Sequence, residues 1–561
     1  MRHRAARAVP VALIALVIFG AALRIYAYAA NPSLWLDEAA LAQNIIGRDF
    51  ASLLAPLARQ QVAPLGFLWL EKAVVSIFGT GEYALRLVPF LASLAALSLF
   101  ALVARRLLTP IAALFVLALF ATATPLLYFA AEMKQYSLDV AVVLALFALV
   151  LAPTGTTDRT LVGRTISGGR LAALGVAGII APWLSQPSVF VLGGVALFLT
   201  LPHVRSDAAG RRGAARALAP VLLLWALSGG ASILRSMLEV TPTDRADLER
   251  FWERGFLPVS RGVMASVHWL GTTTHDVFTW LFPPIVAYAV ILLFVIGIVA
   301  LIRRRDGSAT LFLAPLVLMF VASALRLYPV SFRLLLFTTP SLLVTIGAGA
   351  GWLLAIARSL GASRPSAEAG PLAARRSSAL ASAANIGVAL VLALLAARSA
   401  MTMVEIPFYR EELRPVVRYL AEHRERDDAI YVYYASAPAF EYYAARNGIP
   451  RSAYRVGSCS RDDWRRYVSE MAELRGEPRV WFVLSHPFNK NGIREDSLFL
   501  RYFATVGTRI DSASAIGAEL SLYDMSGASG GESHAMPASF EPPLSHDSSG
   551  TAMGCVGAVS N

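Results

Sequence analysis

Charge is scarce in this chain. Of its 561 residues, 16% are charged and 56% hydrophobic, with a mean hydropathy of +0.56, whereas soluble domains carry about a quarter charged residues. That excludes a wholly soluble protein. Lysine is nearly missing, present only as Lys72, Lys134 and Lys490, so the formal net charge of +12 is carried by arginine. Those arginines fall in short clusters between apolar runs, the pattern of topology signals and not of a nucleic-acid-binding face. Cysteine is limited to Cys459 and Cys555, which excludes a disulfide framework and a CxxC-type metal site and does not by itself indicate a bridge. There is no Walker A loop, no GxGxxG after a strand, no HExxH and no zinc-finger spacing. No nucleotide site is legible, and any chemistry draws on a substrate presented from the membrane.

What the chain has in abundance is long apolar runs able to cross the ~30 Å hydrocarbon core as helices. Eleven spans are expected, near 9–30, 85–104, 111–131, 136–151, 171–184, 188–203, 217–238, 282–302, 311–327, 334–357 and 378–397. The first follows Arg2, Arg4 and Arg7 and resembles a signal peptide, but it outruns a 7–15-residue h-region and no A-x-A site precedes Asn31, so it reads as a retained helix. The positive-inside rule places the N-terminus in the cytoplasm, and six Arg-rich segments then all fall inside. That count works only if the Ser185-Gln186-Pro187 break separates two short helices.

The fold class is therefore mainly α: a polytopic helical membrane protein of about 11 transmembrane helices with a small C-terminal extracytoplasmic α/β domain. Residues 1–397 form the membrane module, with outer loops at 31–82 and 239–281. The first loop holds two stretches, 37–57 and 64–78, too short or too polar to span, which read as helices on the outer interface. The second is a polar loop with Trp252, Trp269 and Trp280 at interfacial positions. Residues 398–525 alternate helical and strand patterns, with helices near 412–424, 438–446 and 461–474 and strands near 429–434, 479–485 and 518–524. Residues 526–561 have the composition of a disordered tail. No internal repeat is visible, which counts against an inverted-repeat transporter.

Acids in so apolar a chain need a task. Asp37 and Glu38 stand just past the first span; they could deprotonate an acceptor, with the neighbour binding a metal or orienting that acceptor, or they could simply start a helix as cap and first-turn acid. Glu132, Lys134, Tyr136 and Asp139 lie at the next outer turn, either in the same site or as a surface ion network. Arg333, after Tyr328-Pro329, could hold a phosphate bidentately with Lys134 as a point charge, or snorkel at the interface as Arg24 and Arg86 could. Lys72, beside Glu71 on the second interfacial helix, is a further candidate for donor phosphate. His268 and His275, seven residues apart, are weaker acid/base or metal candidates.

These motifs converge on a family. Trp35-Leu36-Asp37-Glu38, Pro64-Leu65-Gly66-Phe67-Leu68-Trp69-Leu70, Phe78-Gly79, Glu82-Tyr83-Ala84-Leu85-Arg86-Leu87 and Glu132-x-Lys134-x-Tyr136-Ser137 resemble GT-C glycosyltransferases of the protein O-mannosyltransferase and aminoarabinose transferase type, family 39-like. Tyr328-Pro329 with Arg333, and residues 479–486 of the outer domain, look like a bacterial branch. The resemblance implies a polyprenyl-phosphate-linked sugar as donor and inverting transfer at the outer face to a glycan, lipid or protein acceptor. It further implies Asp37 as general base, Glu132 as a second acidic group and a plasma-membrane location. No cofactor is certain, and a divalent metal on Asp37 and Glu132 stays open. The sequence departs from the family at Val62-Ala63-Pro64-Leu65, where His-Pro-Pro-Leu is usual, and at Lys134, where arginine is usual. The rival reading is a membrane transporter or lipid flippase, which accounts for the spans but not for two interfacial helices and an outer α/β domain.

Overall fold

A computed structural model describes residues 2–152, 167–204, 206–240, 242–361, 371–401, 410–460, 464–490 and 493–527. The membrane module opens with α1 (Arg2–Ala30), and the first outer loop folds as α2 (Leu36–Gly47), α3 (Leu65–Phe78) and the short α4 (Glu82–Leu85). There follow α5 (Leu87–Leu107), α6 (Pro110–Thr122), α7 (Thr124–Tyr128), α8 (Tyr136–Val150), α9 (Gly168–Leu184), α10 (Ser188–Val204) and α11 (Ala208–Leu238). The second outer segment is not a loop as its polarity suggested but two helices, α12 (Pro242–Phe251) and α13 (Val263–Leu281). Gly262, at φ +92°, lets the chain turn directly into α13. The module closes with α14 (Pro284–Arg304), α15 (Ser308–Ala324), α16 (Thr339–Gly361) and α17 (Pro371–Met401).

All eleven expected spans correspond to helices, and the Ser185–Pro187 break does separate two. Among the described residues five helices are long and apolar enough to cross a membrane, and α6 with the turn after it passes as one span bent by 54°. Shorter apolar helices, such as the 15-residue α8 and the 17-residue α9, accompany them, a length that fits tilted packing inside a bundle. The outward stripe of α14, including Ile285, Tyr288, Leu292, Val295 and Ile302, is exposed, as lipid contact requires. Its inward side lies against α16 so closely that a Cβ on Gly297 would sit 1.9 Å from the Thr345 carbonyl oxygen, the small-residue contact by which membrane helices pack.

At the bend after α6, carbonyls lose their helical partners because Pro125 supplies no N–H. Arg24 meets them: wholly buried, it reaches the carbonyls of Phe120 and Ala121 and of Gly20. The snorkelling reading of Arg24 is thus corrected. Arginines assigned to the inner face gather at one end of the bundle, Arg106 on Ala148, Arg170 on Leu149, and Arg304 on Leu107.

The outer domain comprises α18 (Leu413–His423), β1 (Ala429–Val432), α19 (Ala437–Arg446), β2 (Arg455–Val456), α20 (Trp464–Ala472), β3 (Val480–Ser485), a hairpin of β4 (Asn489–Lys490) and β5 (Ile493–Arg494), α21 (Glu495–Val506), β6 (Thr508–Ala515) and β7 (Ala518–Asp524). Its sheet runs β2-β1-β3-β7-β6, parallel among the first three strands and antiparallel thereafter. Cys459 is disulfide-bonded. The tail assigned to disorder lies, from residue 528, outside the described residues.

This domain is anchored to the first outer loop. Leu34, Leu41, Phe67 and Leu68 share one core with Leu413, Val417, Phe440 and Trp481. Glu412 accepts from the Ser33 N–H at 3.0 Å and its hydroxyl at 2.9 Å, the Tyr443 hydroxyl accepts from the Leu34 N–H at 2.7 Å and donates to Glu82 at 3.2 Å, and Arg414 pairs with Glu82 at 3.1 Å. The segment that carries Asp37 is therefore clamped from above.

Candidate active site

Asp37 lies in the first turn of α2 but does not cap it. The N-cap is Trp35, with no side-chain cap hydrogen bond, and the Asp37 carboxylate instead accepts from Arg333 Nη1 at 2.6 Å across 296 residues of chain. Arg333 sits at the head of a 3-10 segment, Phe332–Thr338, which is held in place by three contacts. The Tyr328 hydroxyl donates to the Leu334 carbonyl at 2.7 Å, the Val330 N–H donates to Gly255 at 2.7 Å, and the Trp252 ring lies 5.7 Å from the guanidinium carbon. The Tyr328-Pro329 motif thus works as a brace for Arg333.

Lys134 is the third member. Its N–H closes a tight turn onto the Glu132 carbonyl at 2.7 Å, and its ammonium donates to Gln61 Oε1 at 2.9 Å, 6% exposed. Burial alone would raise the Asp37 pKa; Lys134 and Arg333 outweigh it and hold the carboxyl at about 2. Burial lowers Lys134, with Asp37 opposing. Tyr136, 5% exposed at the start of α8, is edge-on to Phe129 at 4.9 Å between centroids and lies within the field of Arg333.

Glu132 is buried, with the Tyr128 hydroxyl as its hydrogen-bonding neighbour. Burial, reinforced by the negative charge of Glu38 and opposed by Arg410, raises it to about 7. It lines a narrow opening together with Pro32, Ser33, Trp35, Tyr128 and Arg410. Asp37, Glu132, Lys134, Tyr136 and Arg333 are thus brought to one place, and all three charged groups of the 132–139 turn are buried, so the surface-network reading is corrected.

Two sequence candidates lie elsewhere in role or place. Glu38 is wholly committed: Arg86 Nε and Nη2 donate to its two oxygens at 2.9 and 2.7 Å and the Met133 N–H adds a third bond at 2.7 Å. That buried fork ties α2 to the start of α5 and to the Glu132 turn, so Glu38 positions the site, and Arg86 does not snorkel. Lys72 donates to the carbonyls of Ile45 and Ile46, stabilising the C-terminal end of α2, about 12 Å of helix from Asp37 at the other end. It stands apart from Asp37, Lys134 and Arg333. His268 is exposed and His275 pairs with Asp276 and Tyr288; neither joins the cluster.

A divalent cation does not fit this arrangement. The Asp37 carboxylate already faces two cations, Glu38 is taken by Arg86, and no three acidic, histidine or cysteine side chains gather among the described residues.

Sequence reasoning missed Gln61, Tyr128, Trp252 and Arg410. Arg410 enters from the start of the outer domain, its guanidinium carbon 4.8 Å from the Trp35 ring and 4.6 Å from that of Tyr128. Next to it, Glu411 binds Nδ1 of His486, whose ring stacks on Trp35 at 5.9 Å. Only the charged run 410–412 at the domain's start could have signalled this.

No protein-family model and no curated protein matches the chain. Among solved structures it is similar to ArnT from Cupriavidus metallidurans bound to undecaprenyl phosphate, at 14% identity over 91% of this chain and 97% of that one, TM-score 0.45. It is similar also to the Archaeoglobus fulgidus oligosaccharyltransferase AglB in complex with an inhibitory peptide and a dolichol-phosphate, at 11% identity over 77% of this chain and 63% of that one, TM-score 0.41. Identity this low leaves the chemistry to this chain's own residues.

Proposed function

We propose that this protein is a membrane glycosyltransferase that moves a sugar from a polyprenyl-phosphate donor to an acceptor at the outer face of the plasma membrane, with inversion at the anomeric carbon. The observation that carries the reading is the Asp37–Arg333 pair at 2.6 Å with buried Lys134 beside it. One carboxylate and two cations meet where apolar helices end and an outer domain begins. Displacement of a phosphate from an anomeric carbon calls for those groups: cations for the leaving oxygens and an acceptor of the nucleophile's proton on the other side.

In the reaction the acceptor hydroxyl oxygen bonds to the anomeric carbon, the carbon–oxygen bond to phosphate breaks, and the electron pair leaves on the phosphate between Lys134 and Arg333. Asp37 takes the acceptor's proton. A carboxyl held at about 2 is a poor base, so donor binding has a second task. The phosphate draws Arg333 away from Asp37, since a guanidinium pairs bidentately with phosphate as readily as with carboxylate. Asp37, still buried, then becomes more basic when the donor is in place.

The transporter reading lacks comparable support. The core of the bundle is filled by packed apolar side chains such as Phe147, Phe312, Leu336 and Leu343, and the charged side chains gather at one end beside the C-terminal domain. The test is sugar transfer from a polyprenyl-phosphate donor by the purified protein. Wild type should transfer, and Arg333→Met and Lys134→Met should each lose most of the rate; absence of transfer to every acceptor, water included, would refute the assignment.

A further inference from the structure

The reaction above leaves the acceptor's proton on Asp37, and a protonated carboxyl cannot re-form the ion pair with Arg333. That proton has to leave before the next cycle. Lys134 and Arg333 are already charged and are assigned to the phosphate. A third basic side chain bears on Asp37, His486 from the outer domain, whose positive charge helps hold the carboxyl ionised. Histidine is the side chain suited to gain and lose a proton near neutral pH.

The fold holds this imidazole firmly. His486 follows the end of β3 at φ +53°, a left-handed backbone that a residue with a β-carbon adopts only under constraint. The constraint comes from both sides: the Ser485 N–H donates to the Ser436 hydroxyl at 2.6 Å, and the Phe488 carbonyl accepts from the Glu495 N–H at 2.9 Å. The ring stacks on Trp35, the N-cap of α2 two residues before Asp37, at 5.9 Å, and meets Phe488 edge-on at 4.9 Å. Glu411, itself 8% exposed, accepts from Nδ1, which leaves the lone pair on Nε2. The charges around the ring are Glu411, Arg410 over the same Trp35 ring, and Asp37 on α2. With 26% of its side chain exposed, His486 reaches both the site and solvent.

We propose that His486, oriented by Glu411, is the proton outlet for Asp37. After transfer the O–H bond of Asp37 breaks with its electron pair left on the carboxylate. The proton passes through a bridging water to the lone pair of Nε2, since Asp37 bonds to Arg333 and not to the ring. Glu411 balances the imidazolium, which then yields a proton to solvent. The inference rests on Asp37 being the base, as read above, and extends that reading by giving the outer domain a part in turnover. His486 touches no substrate and acts through Asp37, so its loss spares the first turnover and slows those that follow.

The test compares first-turnover and steady-state rates of the full-length protein in nanodiscs, with polyprenyl phosphate carrying a neutral hexose as donor and water as acceptor. His486→Asn suits the left-handed backbone, which asparagine tolerates, and its amide can still donate to Glu411, but it relays no proton. Its first turnover should stay within about threefold of wild type while its steady state falls roughly tenfold or more, the cost of a lost proton-transfer group. His486→Gly also accepts this backbone and leaves room for a free imidazole; added imidazole should restore its steady state without altering its first turnover. Glu411→Gln removes the balancing charge and should show the same split to a smaller degree. A role in folding or docking alone slows both phases equally and gives no rescue. Equal slowing of the two phases, a steady state unchanged in His486→Asn, or His486→Gly without rescue would each overturn the outlet; if His486→Asn does not fold, the split in Glu411→Gln decides in its place. A first turnover that survives Asp37→Asn would instead overturn Asp37 as the base, and a wild type that releases no hexose would overturn the glycosyl-transfer reading, and this one with it.

Discussion

Removing the Asp37 charge should push binding and turnover in opposite directions. In the resting site Asp37 competes with donor phosphate for Arg333 and Lys134, so Asp37→Asn leaves both cations unopposed. The drop of its pKa from an ordinary 3.8 to about 2 corresponds to ~2 kcal/mol of net favourable interaction with its surroundings. Part of that interaction is lost when phosphate takes Arg333, so Asp37→Asn should bind bare polyprenyl phosphate more tightly, by up to about tenfold to thirtyfold. Transfer should nevertheless fall by several orders of magnitude, because an amide accepts no proton. Equilibrium binding in nanodiscs and single-turnover transfer with saturating donor read the two quantities separately. Weaker lipid-phosphate binding by Asp37→Asn would refute the competition, and retention of more than about a tenth of the transfer rate would refute Asp37 as the base.

Glu38→Gln and Arg86→Met should act on stability, costing about 3–5 kcal/mol because each strands a buried partner; thermal unfolding of the purified variants reads this, and an unchanged Tm would show that the fork is not what holds α2. Glu71 is buried with neither oxygen partnered, and burial raises its carboxyl well above the ordinary 4.5. The folded state therefore keeps a proton that the unfolded state releases, so the stability this group contributes is fully present below pH ~4.5 and is lost as pH rises toward its folded-state pKa; Glu71→Gln should raise the Tm at pH 8 and flatten that part of the slope, and an equal slope in both proteins would refute the assignment. Orientation can be read by cysteine labelling from outside, which should reach Ser52→Cys and Ser469→Cys but not Ala209→Cys without permeabilisation. All three positions are exposed. Labelling of Ala209→Cys on intact cells would invert the topology.

The helices of the membrane module were legible one by one, for a local reason. A run of apolar residues long enough to cross a bilayer is stable as a helix whatever its neighbours, since the backbone satisfies its own hydrogen bonds. Hydropathy and the Ser185-Gln186-Pro187 break therefore located all eleven. The second outer segment escaped because α13 carries His268, the Thr272–Thr274 run and Asp276, a composition that reads as loop when its packing against α14 is unknown. In the outer domain α21 and β6 were missed for a similar reason. The exposed and half-buried positions of β6 depend on its pairing with β7.

The site divides along the same line. Sequence alone determined which residues are chemically unusual, because carboxylates and lysines in a chain of 16% charge stand out wherever they fall, and it determined which share a membrane face, because spans alternate in direction. Tertiary structure alone decided what each charge does. Asp37 and Glu38 are neighbours in sequence and nearly indistinguishable in it, yet successive helical positions point about 100° apart, so one meets Arg333 and the other Arg86. Lys72 and Lys134 are likewise alike in sequence, and the packing of α3 on α2 sends the first to a helix end while the tight turn at Glu132 sends the second to the carboxylate. Arg410 belongs to the pocket only because the outer domain docks on the first loop through Glu412, Arg414 and Tyr443. Contacts across more than 300 residues arise from the surface each element leaves uncovered, and no local pattern encodes that.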